Sequence, residues 1–121
     1  MAKHNEVGAW GEELAIEHLQ SKEYEVLEKN WKWNNVEIDL IVRKDNVVIF
    51  VEVKTRKSTY FGFPEDFVDE KKQEQMHSGA AEYVHQIKHD WEIRFDIVSI
   101  IYQSKDNFEL KHIEDAFFDQ W

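Results

Sequence analysis

Two acids and a lysine carry the chemistry that this sequence suggests. Asp39 sits in the run Val36-Glu37-Ile38-Asp39-Leu40-Ile41-Val42, and Glu52 and Lys54 sit in Val47-Val48-Ile49-Phe50-Val51-Glu52-Val53-Lys54-Thr55-Arg56. Both runs are apolar and rich in β-branched residues. Asp is depleted in strands, and a buried, unpaired carboxylate must neutralise or find a partner. Side chains alternate along a strand, so Glu52 and Lys54 share one face while Ile49, Val51 and Val53 take the other. If the two runs pair, Asp39 and Glu52 become neighbours able to bind one divalent ion, with the backbone carbonyl of Val53 as a further oxygen. Mg2+ favours such oxygens and keeps several waters. An ion of this kind lowers the pKa of bound water and stabilises charge growing on a phosphate. Lys54 would position the attacking water or stabilise the transition state. The plainer alternative is a polar strand face open to solvent, which is common in antiparallel sheets.

These side chains need elements to hold them. Asn5 is the expected cap of a first helix running to about Ser21. Gly8, Gly11, Glu12, Ala15 and Leu19 follow helical spacing on one face. Two glycines there predict close approach to a sheet, because glycine costs roughly 1 kcal/mol against alanine inside a helix. Glu12 shares that face and is the candidate auxiliary acid, acting through water. Strands are expected over residues 24–33, 36–43, 47–55, 93–102 and 108–113. Asn34-Asn35 marks a turn, and Lys44-Asp45-Asn46 fits a hairpin between the second and third strands. Residues 57–64 read as a loop with Gly62 and the sole proline. A second helix is expected over 66–89, weakened at Ser78-Gly79. The order α-β-β-β-α-β-β predicts a mixed α/β sheet, with the second helix as a right-handed crossover between parallel strands.

The composition sets outer limits. At 121 residues the chain is expected to form a single domain, residues 1–121, with a real core. Hydrophobic residues at 42% and aromatic ones at 14% belong to a folded protein. Absence of cysteine excludes disulfides and thiolate–zinc sites and permits a reducing cytoplasm, the expected location. No apolar run has the length of a membrane span, and Met1 to Glu6 carry no apolar signal core. The formal charge of −10 argues against simple electrostatic capture of nucleic acid. A local basic rim of Arg56, Lys57, Lys71 and Lys72 around the acids would answer that objection. Scattered solvated lysines are the competing reading.

Other candidates are weaker. His85 and His89 have the i, i+4 spacing of zinc ligands, yet no partner supports them, and solvated helix histidines are expected. Asp96, mid-strand, is expected to form a structural ion pair with a lysine or arginine. Trp31 and Trp33 share a strand face and serve either as core or as a base-stacking surface. Phe117, Phe118 and Trp121 would dock on the sheet or mark a partner interface. No glycine-rich phosphate loop and no Ser/His/Asp order is present.

Glu12, Asp39 and Glu52-Val53-Lys54, in the order helix, strand, strand, resemble the PD-(D/E)XK nuclease superfamily. More closely, the chain looks like the YraN-like family of small, largely uncharacterised bacterial proteins. Gly11-Glu12, Asn30, Glu37-Ile38-Asp39-Leu40-Ile41, Phe50 to Arg56, Phe61-Gly62, Lys71, Phe95-Asp96 and His112-Ile113 carry the resemblance, which covers nearly the whole chain. One departure is Val36, where the family usually has glycine. The resemblance implies a restriction-endonuclease-like α/β core, Asp39 and Glu52 as metal ligands, Lys54 as catalytic lysine and Glu12 as helical acid. The expected function is a Mg2+- or Mn2+-dependent nuclease acting on nucleic acid, DNA ahead of RNA and branched or structured DNA included. The alternative is a non-catalytic nucleic-acid-binding or protein-interaction module that retains the fold. A second copy or a protein partner are further expected associates, and a membrane is not.

Overall fold

The structure, a computed structural model, describes residues 2–117. The expectations for Phe118 and Trp121 lie outside the described residues. The elements are α1 (Ala2–Ser21), β1 (Glu25–Trp33), β2 (Val36–Lys44), β3 (Val47–Arg56), a 3-10 turn (Pro64–Phe67), α2 (Glu70–Ile87), β4 (Ile93–Ser104) and β5 (Asn107–Ile113). This is the expected order. Among the described residues no helix is long and apolar enough to cross a membrane.

Local chemistry explains where the elements stop. Asp45 and Asn46 both take positive φ, 54° and 66°, as a two-residue type I′ hairpin requires, and Asn and Asp tolerate that region best after glycine. Asn34, at φ 54°, makes the preceding turn. Val36 stands at the start of β2, paired with Trp33, so the left-handed residue of that turn is an asparagine and the valine is free to extend. Asp69 caps α2, its carboxylate accepting from the Lys72 amide at 2.9 Å. Lys88, in the left-handed region, ends the same helix.

The five strands form one sheet in the order β1-β2-β3-β4-β5. Neighbours are antiparallel except β3 and β4, which are parallel and joined through α2. Each helix covers one face. Ala15, Ile16 and Leu19 of α1 pack on Leu40, Val51 and Ile100, among others. Met76, Ala80 and Tyr83 of α2 pack on Ile38, Phe50 and Ile97. The apolar alternation of β3 therefore feeds two cores, and its polar residues Glu52 and Lys54 fall on the α2 face, in line with Phe50.

Several expectations need correction. The first helix begins at Ala2, ahead of Asn5. The segment 66–89 splits into the 3-10 turn and α2, because Asp69 starts a new helix instead of continuing one. That helix runs unbroken through Ser78 and Gly79. Gly79 is buried, and a methyl group there would come within 3.0 Å of the Ile38 and Val36 side chains, so the glycine sets helix-to-sheet distance. In α1 the two glycines part company. A Cβ at Gly11 would collide with Thr55 Oγ1 and stand 3.3 Å from Thr55 Cβ, whereas one at Gly8 meets nothing within 4 Å.

That contrast is measurable. Gly11→Ala should lower stability by roughly 1–3 kcal/mol through overpacking, and Gly8→Ala should raise it by up to about 1 kcal/mol through helix propensity. Thermal denaturation of the two variants checks this. Equal shifts would show that Gly11 does not set the α1–β3 contact.

Candidate active site

The site begins with an interruption in the sheet. The β2–β3 ladder runs from Lys44 opposite Val47 to Leu40 opposite Val51. The next hydrogen-bonded rung would set Ile38 against Val53, and the register does not include it. Instead the Val53 amide donates to Asp39 Oδ2 at 2.9 Å. β3 meanwhile continues beside β4 as far as Arg56 opposite Ile101. Side-chain alternation also breaks at Asp39. Leu40 packs in the α1-side core and Ile38 in the α2-side core, although residues two apart share a face in a regular strand. In β1 the matching position is Asn30, at φ 49°, between the rungs Lys29–Leu40 and Trp31–Ile38. A left-handed residue in one strand and a rotated one opposite aim the Asp39 carboxylate at β3. The N–H and C=O of one strand residue point to the same edge, so the Val53 carbonyl faces the Asp39 side as well.

Glu52 is nearly dry, at 3% exposure. Its Oε1 has no hydrogen-bond partner. Lys72 Nζ stands 3.6 Å from that oxygen and Lys54 Nζ 3.7 Å from Oε2, close enough for Coulombic attraction but too far for a short charge-assisted bond. Burial, then the neighbouring charge of Asp39, pushes the Glu52 carboxyl up to about 8, with Lys72 and Lys54 pulling against it. Glu12, half-buried on α1, is raised by burial and next by Asp39, while a hydrogen bond with Asn30 pulls it down. Asp39 is thus the acid common to both.

The donors suit one kind of ion. Among the described residues no three His, Cys, Asp or Glu side chains come together as a metal cage. Two interacting carboxylates, one with a buried, unsatisfied oxygen, do come together. Such a set fits a cation that retains most of its own water, as Mg2+ does, better than one demanding an all-protein shell.

The predicted rim is distributed. Lys72, from the first turn of α2, points into the acids and also donates to the Glu37 carbonyl at 3.2 Å, so it belongs with Glu52 and not with a rim. Arg56 lies over the Phe67 ring, 4.9 Å from its centroid. Lys57 and Lys71 are exposed. Asp96 forms the expected structural pair: Arg94 binds it in bidentate fashion at 2.8 Å, His112 Nε2 lies 2.7 Å away, and the Asp115 amide donates at 3.0 Å. His89 falls beyond the end of α2, with its Nε2 2.9 Å from the Glu92 carbonyl, so His85 and His89 do not share a helix face. Trp31 packs edge-to-face on Tyr83 as core. Sequence reasoning missed the pairing of Lys72 with Glu52, the role of Asn30, and a network in which Ser99 and Lys111 hold Glu65 at 2.5 and 2.6 Å. Asp69-x-x-Lys72 signals only a helix start, and nothing local reveals which acid its lysine meets.

Comparison with known proteins gives a consistent result. The profile of the uncharacterised protein family UPF0102 matches residues 11–100. A UPF0102 protein of Flavobacterium psychrophilum is 46% identical over 118 residues, covering 98% of each chain. One from Christiangramia forsetii is 47% identical with the same coverage. One from Bacteroides thetaiotaomicron is 37% identical over 98% of this chain and 97% of its own.

The raised Glu52 carboxyl has a definite sign in stability. Its folded value near 8 exceeds the ordinary 4.5, so its contribution is full below about pH 4.5 and is lost as pH rises through 8. In EDTA, Glu52→Gln should therefore gain stability over the natural protein as pH goes from 5 to 9, by a few kcal/mol. Urea denaturation at each pH provides the measurement, and a pH-independent difference would refute the raised carboxyl.

Proposed function

The chain belongs to the uncharacterised protein family UPF0102, and we propose that it is a nuclease, dependent on Mg2+ or Mn2+, that hydrolyses phosphodiester bonds of nucleic acid, DNA in the first instance. One observation carries this reading: a dry Glu52 with an oxygen that has no hydrogen-bond partner faces Asp39 across the point where β2 and β3 stop pairing, with one lysine near each of its oxygens. Holding two carboxylates together, one of them dry and met by its lysines only at 3.6 and 3.7 Å, costs stability, and a divalent cation would reverse that cost. The resemblance to PD-(D/E)XK nucleases assigns the same residues and supports the same core.

Asp39, Glu52 and the Val53 carbonyl would hold the ion. When bound, it supplies Lewis acidity toward the phosphate and lowers the pKa of a water. The protein does the rest. Asp39 is fixed by the Val53 amide, so its orientation does not depend on the ligand. Lys54, one strand step beyond Glu52 on the same face, donates toward the attacking water and the phosphate oxygens. Lys72 balances Glu52 from α2. Glu12 lies near Asp39 from α1 and would accept a hydrogen bond from a water of the bound ion. Arg56, Lys57 and Lys71 supply phosphate contacts in a chain whose overall charge is −10. The second reading, a non-catalytic nucleic-acid-binding or protein-interaction module that retains the fold, is the one left if cleavage is absent.

The test separates roles. Mg2+ or Mn2+ should raise the melting temperature of the natural protein by mass action, and Asp39→Ala should abolish the rise. Lys54→Ala should keep the rise and lose cleavage by roughly a hundredfold or more. The substrates are single-stranded, duplex and branched DNA and RNA. A natural protein that binds these in a salt-dependent way and cuts none of them with either metal is the binding module, and the nuclease reading fails.

A further inference from the structure

β3 runs out of the acidic cleft into residues 57–69, the segment that leads to α2. Here four aromatic side chains stand in solvent. Tyr60 is 85% exposed, Phe61 86%, Phe63 53% and Phe67 39%. Scattered exposed apolar residues need no explanation, but this density on one loop beside a candidate site does.

The loop is held by bonds from its own backbone amides, one to a carbonyl and two to side chains of the same segment. The Gly62 amide donates to the Thr59 carbonyl at 3.1 Å, the Tyr60 amide to Ser58 Oγ at 3.2 Å and the Phe63 amide to Asp66 Oδ2 at 2.9 Å. Gly62 has φ +132°, a conformation nearly restricted to glycine, and it turns the chain between Phe61 and Phe63. Tyr60 and Phe61 meet edge-to-face, 4.8 Å between centroids, which leaves ring faces open. The loop's base is tied to the site. Phe67 lies under Arg56, two residues past Lys54. Ser99, which pairs with Lys54 across the strands, holds Glu65. Lys111 sits 5.8 Å from the Phe63 ring centre. Of the acids of this segment, Glu65 is held by Ser99 and Lys111, the exposed Asp66 accepts from the Phe63 amide and Asp69 from the Lys72 amide, while Arg56 and Lys57 place positive charge where β3 enters the loop.

We propose that this loop is a stacking platform for unpaired nucleobases, and that the protein's substrate class is single-stranded nucleic acid or a junction carrying a single-stranded segment. Which bond is cut rests on the nuclease reading above, and base stacking does not. Open aromatic faces accept any base, since every base has a π face, and adjoining cations track the backbone. Duplex DNA hides those base faces, so protruding rings engage a strand only where it is unpaired. Tyr60 and Phe61 stack on bases, and Arg56 and Lys57 lead the backbone toward Lys54.

The binding experiment is run in EDTA at low salt, where no cleavage intervenes. A fluorescein-labelled 20-nucleotide single strand and the matching duplex are titrated with the full chain by anisotropy. The single strand should bind more tightly. Tyr60→Ala/Phe61→Ala should weaken it about tenfold or more, leaving duplex affinity and melting temperature unchanged. Tyr60→Phe/Phe61→Tyr should restore it. Equal affinity for the two nucleic acids, or single-strand affinity unchanged in the alanine double variant, overturns the proposal. A change of oligomeric state in that variant with binding intact also overturns it and assigns the loop to contact with a second copy. Absence of cleavage with Mn2+ beside intact single-strand preference would remove the nuclease reading alone.

Discussion

The bond from the Val53 amide to Asp39 Oδ2 at 2.9 Å organises the site. It replaces a rung of the β2–β3 ladder with a side chain, and a charged acceptor makes such a bond stronger than the backbone pair it displaces. The substitution satisfies Val53, fixes Asp39 and ends strand pairing in one step. Glu52, the next residue back on β3, is left beside a carboxylate. The left-handed Asn30 and the broken alternation at Asp39 are the backbone adjustments that make the substitution fit.

Two buried acids on neighbouring strands show how environment divides structure from chemistry. Asp96 is fully buried, and burial alone would raise it. Hydrogen bonds from Arg94, His112 and the Asp115 amide outweigh that and hold it below the usual carboxylate range. It anchors β4 to the chain beyond β5. Glu52 is almost as dry but meets its lysines at a distance and another acid close by, so it is raised. Depth is nearly the same, and saturation of the oxygens differs. The unsatisfied acid has capacity for a ligand; the satisfied one has none.

The proposed action on a polyanion requires an acidic protein to place its positive charge locally. Here the cations lie close to the acids in sequence and space. Lys54 and Arg56 continue the strand that bears Glu52, Lys72 enters from the first turn of α2, and Lys111 reaches the intervening loop from β5. The acids of that loop are drawn into hydrogen bonds, which removes part of their repulsion from the approach path.

The sequence by itself determined the elements and the central residues. Period-two runs of β-branched residues specify the strands, Asp45-Asn46 the hairpin, and the charged residues within those runs the candidate site, because these are local properties of a chain. Helix limits were less legible. Asp69 as a cap and Gly79 as a contact residue resemble interior helix and helix break until packing is known. Only the tertiary structure decided which face Asp39 takes, since regular alternation is broken there by a residue of a different strand. It also decided that Lys72 stands beside Glu52 and not in an outer rim, that one glycine of α1 touches the sheet and the other does not, and that Asp96 is saturated while Glu52 is not. Each of these depends on what lies opposite in space, which no local pattern of residues encodes.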